Sequence, residues 1–135
     1  MTEIPWRPDW RVGIAWMDRD HAILRRLADR LFAAASGDTA PAQVLAVADE
    51  LIRHARLHFH KEEREMDRLG HADEVQHRFQ HDHLIHELEH LRAELAREPH
   101  PDPAPLASFL HHWLDDHILE SDRPLAAALR ADAHR

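Results

Sequence analysis

The sequence predicts an all-α fold, an up-down-up-down antiparallel four-helix bundle with an extended N-terminal arm. Along four segments, apolar residues recur at alternating three- and four-residue steps, the spacing of an amphipathic helix. Glycine and proline separate these segments, around Gly37 and Pro41, at Gly70, and in the run from Pro99 to Pro105. The strict apolar–polar alternation of strands is absent from the sequence. Short connections between four helices favour antiparallel neighbours, and therefore a bundle.

Composition limits the kind of site that this bundle can hold. The 135 residues have the length of one ordinary domain, so we interpret 1–135 as a single domain, with an arm over 1–16 and the bundle over 17–131. Cysteine is absent, which excludes disulfides, thiolate zinc sites and iron–sulfur clusters. Any metal must therefore be bound by nitrogen and oxygen atoms.

Charge and hydropathy restrict the partners and the location. The formal net charge of −8, with a single lysine, argues against a nucleic-acid surface. No stretch approaches the roughly 20 apolar residues that a membrane span needs. The N-terminal residues lack the basic start and apolar run of a signal peptide. We therefore expect a soluble cytoplasmic protein with no nucleic-acid partner and no membrane span.

The ends of the helices are predicted from residues typical of helix N-termini. The four helices are expected to begin near Asp18, Thr39, Asp73 and Asp102. The 16 residues that precede the bundle contain three tryptophans but no helical periodicity. We interpret them as an extended arm that packs along the bundle.

Side chains able to bind metal interrupt every apolar stripe. On the second helix the stripe places Glu62 almost at its centre, where its carboxylate would be buried. Burying imidazole and carboxylate groups costs on the order of several kcal/mol unless they are paired or bind a metal. Four helices would therefore point such groups into one interior. The residues concerned are His21, His58, Glu62, His77, His81 and His117.

Histidine spacing by itself is a weak indication of a site. With 15 histidines in 135 residues, chance gives roughly 1.6 pairs four residues apart. Three such pairs occur, namely His54/His58, His77/His81 and His86/His90. His54 and His86 lie off the inner stripes, so we interpret them as surface residues. The joint placement of the other residues on four converging faces is the stronger indication, and this donor set suits iron, manganese, zinc or copper.

Four motifs resemble the ligand motifs of hemerythrins and bacteriohemerythrins and together span nearly the whole chain. They are VGIAWMDRDH, HFHKEEREM, the pair His77 and His81, and WLDDHILESD. The step of fifteen residues from Glu62 to His77 also matches. The resemblance implies reversible dioxygen binding at an oxo- or hydroxo-bridged non-haem di-iron centre, for storage, delivery or sensing, and implies a protein that is not an enzyme.

The resemblance also implies which residues bind the two iron ions. His77, His81 and His117 would hold one iron, and His21 and His58 would hold the other, which keeps an open position for oxygen. Glu62 and Asp122 would bridge the two ions. The implied oxygen pocket consists of Leu24, Phe59, Trp113, Leu114 and Ile118. Each of these five is also explained as ordinary core, Leu24 and Leu114 most readily.

Asp122 fits this ligand set poorly on a regular helix, where five residues turn it about 140° away from His117. A π-bulge or a helix break between 117 and 124 would bring it inward, and Pro124 indicates irregular backbone there. Alternatively, Asp122 or Ser121 caps a short terminal helix that begins at Pro124.

Other functions are open at this point. One alternative is a di-iron oxidase, peroxidase or nitric-oxide-reactive enzyme, and another is a metal-buffering or structural bundle. Asp20 departs from the family pattern, because a glutamine usually stands there, and tyrosine is absent from the chain. A protein partner could receive the oxygen or respond to its binding.

Overall fold

The fold is an antiparallel four-helix bundle in a computed structural model that describes residues 4–35 and 38–134. The helices are α1 (Ala15–Ala34), α2 (Pro41–Leu69), α3 (Glu74–Arg97), α4 (Ala104–His117) and α5 (Arg123–Ala133), with a π-helical turn at Ile118–Asp122. Helical backbone continues from α4 through this π-turn into α5, so these three elements together form the fourth helix of the bundle. The predicted fold class is confirmed. Every helix in the described parts of the chain is too short or too polar to cross a lipid bilayer.

The helices begin close to the predicted residues, with one informative difference. Helix α1 begins at Ala15 rather than near Asp18, so the arm ends two residues earlier than predicted. The Asp18 carboxylate lies in the first turn and accepts hydrogen bonds from the backbone N–H groups of Val12 (2.8 Å) and Gly13 (3.3 Å). It therefore ties the end of the arm to the helix instead of preceding the helix.

The other helix ends follow the sequence signals. Asp73 occupies the position before α3, and the Asp102 carboxylate accepts a hydrogen bond from Ala104 N–H (3.0 Å) at the start of α4. Helix α2 ends at Leu69 and is followed by Gly70, whose φ of 62° lies in the left-handed region that glycine adopts without strain. The loop predicted around Gly37 lies outside the described residues.

The interior of the bundle consists of the predicted apolar stripes. Fully buried side chains come from all four helices of the bundle. They include Met17, Leu24 and Leu31 of α1, Leu51 and Met66 of α2, Leu84 and Leu88 of α3, and Leu110 and Leu114 of α4. His86 and His90 are exposed and His54 is partly exposed, which confirms that they lie off the inner faces.

The N-terminal arm packs on α1 and α4 through a buried arginine. The Arg25 guanidinium carbon lies 4.6 Å from the ring centroid of Trp6 and 4.8 Å from that of Trp10, so both indoles provide cation–π contacts. Trp6 Nε1 donates to Asp29 (2.9 Å), and the backbone N–H of Arg7 donates to an Asp115 oxygen on α4 (3.2 Å). The predicted extended arm along the bundle is confirmed.

Replacing Arg25 with alanine is expected to lower the free energy of unfolding by about 2–4 kcal/mol. The substitution removes two cation–π contacts, each worth about 0.5–2 kcal/mol. It also removes the positive charge that attracts the buried carboxylate of Asp115. Urea unfolding followed by circular dichroism measures the change. The exposed Arg26 provides the control, and equal losses in Arg25→Ala and Arg26→Ala would contradict this account of the arm.

Candidate metal centre

Seven polar side chains meet in the interior of the bundle, and all of them are at most 4% exposed. They are His21 of α1, His58 and Glu62 of α2, His77 and His81 of α3, His117 of α4, and Asp122 of the π-turn. These are the seven residues that the sequence predicted. They form two overlapping groups, in each of which one potential ligand atom per residue lies within 4.8 Å of the others. Glu62 and Asp122 belong to both groups.

One half of the centre contains three histidines. His117 Nε2 lies 3.0 Å from His77 Nε2 and 3.1 Å from His81 Nε2. Glu62 Oε1 lies 3.0 Å from His81 Nε2, and Asp122 Oδ1 lies 3.2 Å from His117 Nε2. Three imidazole nitrogens and two carboxylate oxygens therefore surround one small volume.

The other half contains two histidines and the second oxygen of each carboxylate. His21 Nε2 lies 3.0 Å from Asp122 Oδ2, and His58 Nε2 lies 3.5 Å from Glu62 Oε2. Each carboxylate thus directs one oxygen towards each half. This is the arrangement that a carboxylate bridging two ions requires.

Hydrogen bonds on the outer side of three imidazoles fix the orientation of their rings. Nδ1 faces an oxygen acceptor in each case: Asp20 Oδ2 for His58 (3.0 Å), Glu63 Oε2 for His81 (2.9 Å) and Gln80 Oε1 for His117 (3.0 Å). Because carboxylate and amide oxygens only accept hydrogen bonds, a neutral ring must carry its proton on Nδ1. Its Nε2 lone pair then points into the centre, as metal binding requires.

The interior atoms of the centre lack hydrogen-bond partners within the described residues. These atoms are both ring nitrogens of His21, Nε2 of His58, and both carboxylate oxygens of Glu62 and Asp122. Where the ring proton lies on the outer nitrogen, the inner ring nitrogen carries a lone pair. Its short distance to a carboxylate oxygen then brings two lone pairs together instead of forming a hydrogen bond. Buried polar groups are nearly always paired, so this concentration of unpaired acceptors indicates an ion-binding centre. Nitrogen and oxygen donors without sulfur fit iron.

In the absence of an ion, the electrostatics of the centre favour protonated imidazoles. Burial lowers the pKa of His58, but the charge of Glu62 and the hydrogen bond to Asp20 outweigh burial and raise this pKa to about 10. Burial likewise lowers the pKa of His77, and contacts with Asp122 and Glu62 raise it to about 9. An ion bound here would displace these protons, which couples metal binding to proton release.

The two carboxylates remain ionised at the same time. Burial and the charge of Asp122 raise the pKa of Glu62, but His58 outweighs both and the pKa lies well below its usual range. Burial also raises the pKa of Asp122, yet His117 and other neighbouring imidazoles lower it well below its usual range. Burial lowers the pKa of His117. Two ionised carboxylates therefore lie close together at the middle of the bundle, and protonated imidazoles or bound cations would balance their charges.

Comparison with known proteins places the chain in a family. A family model described as "Hemerythrin HHE cation binding domain" matches residues 12–129. The chain belongs to the hemerythrin family. It is 24% identical over 122 residues to a bacteriohemerythrin of Clostridium acetobutylicum, covering 87% of this chain and 95% of that protein. It is 27% identical over 128 residues to one of Methylococcus capsulatus, covering 91% and 93% of the two chains.

Solved hemerythrin structures share the fold. A crystal structure of a wild-type hemerythrin has a TM-score of 0.81 and 24% identity, with 93% of this chain and 97% of that chain covered. A hemerythrin mutant in which tyrosine replaces a leucine has a TM-score of 0.84 and 22% identity, with 96% and 98% covered. The four-helix bundle is therefore the hemerythrin fold.

The π-turn explains how Asp122 reaches the centre. Five residues separate it from His117, and the wider winding of Ile118–Asp122 brings both side chains to the same side. The predicted π-bulge is confirmed. The alternative, in which Asp122 or Ser121 caps the last helix, is wrong: Asp122 makes no side-chain capping bond to α5, and Ser121 Oγ donates to Gln80 Oε1 (2.9 Å).

Two of the predicted pocket residues stack on histidines of the centre. The Phe59 ring lies 3.9 Å from that of His81 with 9° between their planes, and the Trp113 ring lies 4.2 Å from that of His117 with 20° between them. The other three, Leu24, Leu114 and Ile118, are buried in the core. An aromatic ring therefore covers one face each of His81 and His117.

Sequence reasoning missed the outer acceptors Asp20, Glu63 and Gln80. Each stands next to a predicted ligand in the sequence, since Asp20 precedes His21, Glu63 follows Glu62, and Gln80 precedes His81. Their hydrogen bonds, however, go to a histidine of another helix. Adjacency to a ligand was an available signal, but the partner depends on how the helices pack.

Proposed function

We propose that this chain binds dioxygen reversibly at a non-haem di-iron centre and serves oxygen storage, delivery or sensing. The observation that carries the proposal is the pair of buried carboxylates, Glu62 and Asp122, each with one oxygen towards three histidines and one towards two. Membership in a family described as cation-binding, with relatives named bacteriohemerythrin, supports it. Two iron ions, when bound, supply the reversible exchange of electrons that captures dioxygen.

In this proposal His77, His81 and His117 hold one ion, while His21 and His58 hold the other. Glu62 and Asp122, each with one oxygen on either side, would help to hold both ions. The unequal number of histidines leaves the half around His21 and His58 with one donor fewer, so a small ligand has room to bind on that half. The outer acceptors keep the rings of His58, His81 and His117 aimed inward, which maintains the site between oxygen-binding events.

The proposed oxygen pocket consists of side chains that keep water away from the centre. Phe59 and Trp113 stack on His81 and His117, and the Phe59 ring centroid also lies 5.7 Å from that of His58 on the other half. Leu24, Leu114 and Ile118 are buried in the core. A mainly apolar lining keeps water away from a bound oxygen species. This favours release of intact dioxygen over irreversible oxidation of the centre, and so favours a carrier or sensor over an enzyme.

The test is metal content combined with the visible spectrum of the anaerobically reduced protein before and after admission of air. We expect two irons per chain and a colourless form that becomes coloured reversibly. Prompt irreversible conversion to the ferric form, or turnover with peroxide or nitric oxide, would replace the proposal with a di-iron enzyme. Failure to take up iron would leave a metal-buffering or structural bundle. Reversible oxygen binding would also be consistent with a protein partner that receives the oxygen or responds to its binding.

A further inference from the structure

The two halves of the centre depend unequally on the orientation of a single imidazole. Three histidines serve one half, whereas His21 and His58 alone serve the other. Misorienting His58 would remove half of the imidazole donors from its side, while misorienting His81 would remove a third from the other. The group that orients His58 is therefore more important to metal binding than its counterpart on His81.

Asp20 orients His58 across the interface between α1 and α2. Its Oδ2 accepts from His58 Nδ1 (3.0 Å) and from Lys61 Nζ (3.1 Å), and its Oδ1 lies 3.5 Å from the same ammonium group. The side chain is 15% exposed, so water competes little for its oxygens. Because Asp20 directly precedes His21 on α1, one residue connects the helices that carry both histidines of this half.

We infer that Asp20, held in place by Lys61, is the positioning residue of His58 and sets the affinity of the two-histidine half for its ion. This inference rests on the proposed two-ion centre. A carboxylate on Nδ1–H fixes the ring orientation and makes Nε2 a stronger donor to a metal. Lys61 holds the carboxylate against rotation by contacting both of its oxygens.

The surroundings of His58 leave Asp20 as the acceptor on its outer side. The Trp16 ring centroid lies 6.0 Å from that of His58, and Lys61 Nζ lies 5.9 Å from the Trp16 ring. Nε2 of His58 points inward and has no hydrogen-bond partner in the described parts of the chain. Loss of the Asp20 charge would therefore leave Nδ1 of His58 without its anionic acceptor, so the proton would be held less firmly on that nitrogen.

In the other half of the centre, Glu63 has the same relation to His81 that Asp20 has to His58. Its Oε2 accepts from His81 Nδ1 (2.9 Å), and its Oε1 accepts from Arg78 (3.2 Å). A basic side chain thus holds a carboxylate behind one histidine in each half. Asp20→Asn and Glu63→Gln are therefore equivalent changes that act on opposite halves.

The experiment is titration of the metal-free protein with Co²⁺, followed by the visible ligand-field bands of the bound ion. The ion with three histidines should bind first because it has more donors. We expect Asp20→Asn to weaken binding of the second Co²⁺ by about 10- to 100-fold and to shift its bands, while the first binding step stays within twofold of wild type. Glu63→Gln should affect the first step instead. Asp49→Asn, which alters an exposed pair with Arg92 (2.7 Å), should affect neither.

A purely structural role for Asp20 predicts a different result. It would lower the melting temperature of the metal-free protein and weaken both binding steps together, with unchanged bands for the second ion. That result, or a second step within twofold of wild type in Asp20→Asn, would overturn the inference alone. Failure of the wild-type protein to bind a second Co²⁺ would overturn the proposed two-ion centre as well.

Discussion

Replacing Glu62 with alanine is expected to reduce metal binding from two ions per chain to at most one. Glu62 is fully buried, with Oε1 3.0 Å from His81 Nε2 and Oε2 3.5 Å from His58 Nε2. No other single side chain on α2 supplies an oxygen to both halves. Without it, the negative charge that would hold two dications close together is halved, and the second ion loses a donor. Metal content after gel filtration measures the effect.

His86→Ala is the matched control for this substitution. His86 also lies on a helix of the bundle, but it is exposed and outside the centre. It should retain two ions per chain, and circular dichroism should show equal helix content in both variants. Two ions in Glu62→Ala together with fewer than two in His86→Ala would mean that the metals bind at the surface histidines.

Helical periodicity was sufficient to predict most of the centre. The stripe that contains Ala55, His58, Glu62 and Met66 placed a carboxylate in the middle of an apolar face, and the structure buries all four side chains. Similar stripes placed the candidate ligands His21, His77, His81 and His117 inward, and the structure buries these side chains. These predictions succeeded because side chains four residues apart share a face whatever the helix packs against.

Helical periodicity did not predict that Asp122 lies in the centre. On a regular helix it points away from His117, and only the resemblance to hemerythrins assigned it to the centre. The π-turn depends on backbone winding between two helices, for which Pro124 was the only local sign. The outer acceptors, such as Gln80, and the contact of Arg25 with the arm depend on how separate helices pack, which a single-helix pattern does not contain.

Removal of the metal ions is expected to lower the melting temperature by roughly 30 °C. An ion present at a thousand times its dissociation constant stabilises the folded state by about 4 kcal/mol, so two ions contribute about 8 kcal/mol. With an unfolding entropy of about 2.1 cal/mol/K per residue, each kcal/mol shifts the midpoint by about 3–4 °C in a chain of this size. Calorimetry of the iron-loaded protein and of the same sample after chelation measures the difference.

Glu62→Ala separates ion binding from other effects of the chelator. Because this variant should bind at most one ion, chelation should shift its melting temperature by no more than about half as much. An equal shift in both proteins would show that the stabilisation does not come from a two-ion centre that includes Glu62.

The size of this shift should also depend on pH, in a direction that the metal-free centre determines. Protonated His58 and His77 have pKa values of about 10 and about 9, above the ordinary value of 6.5. Their contribution to stability is therefore fully present below pH 6.5 and is lost as the pH rises through 9 to 10. In the metal-bound protein the ions balance the negative charges of Glu62 and Asp122, so the protons on His58 and His77 are not needed. The difference in melting temperature between the metal-bound and metal-free proteins should consequently widen from pH 7 to pH 10, and a narrowing difference would contradict the assigned protonation of the centre.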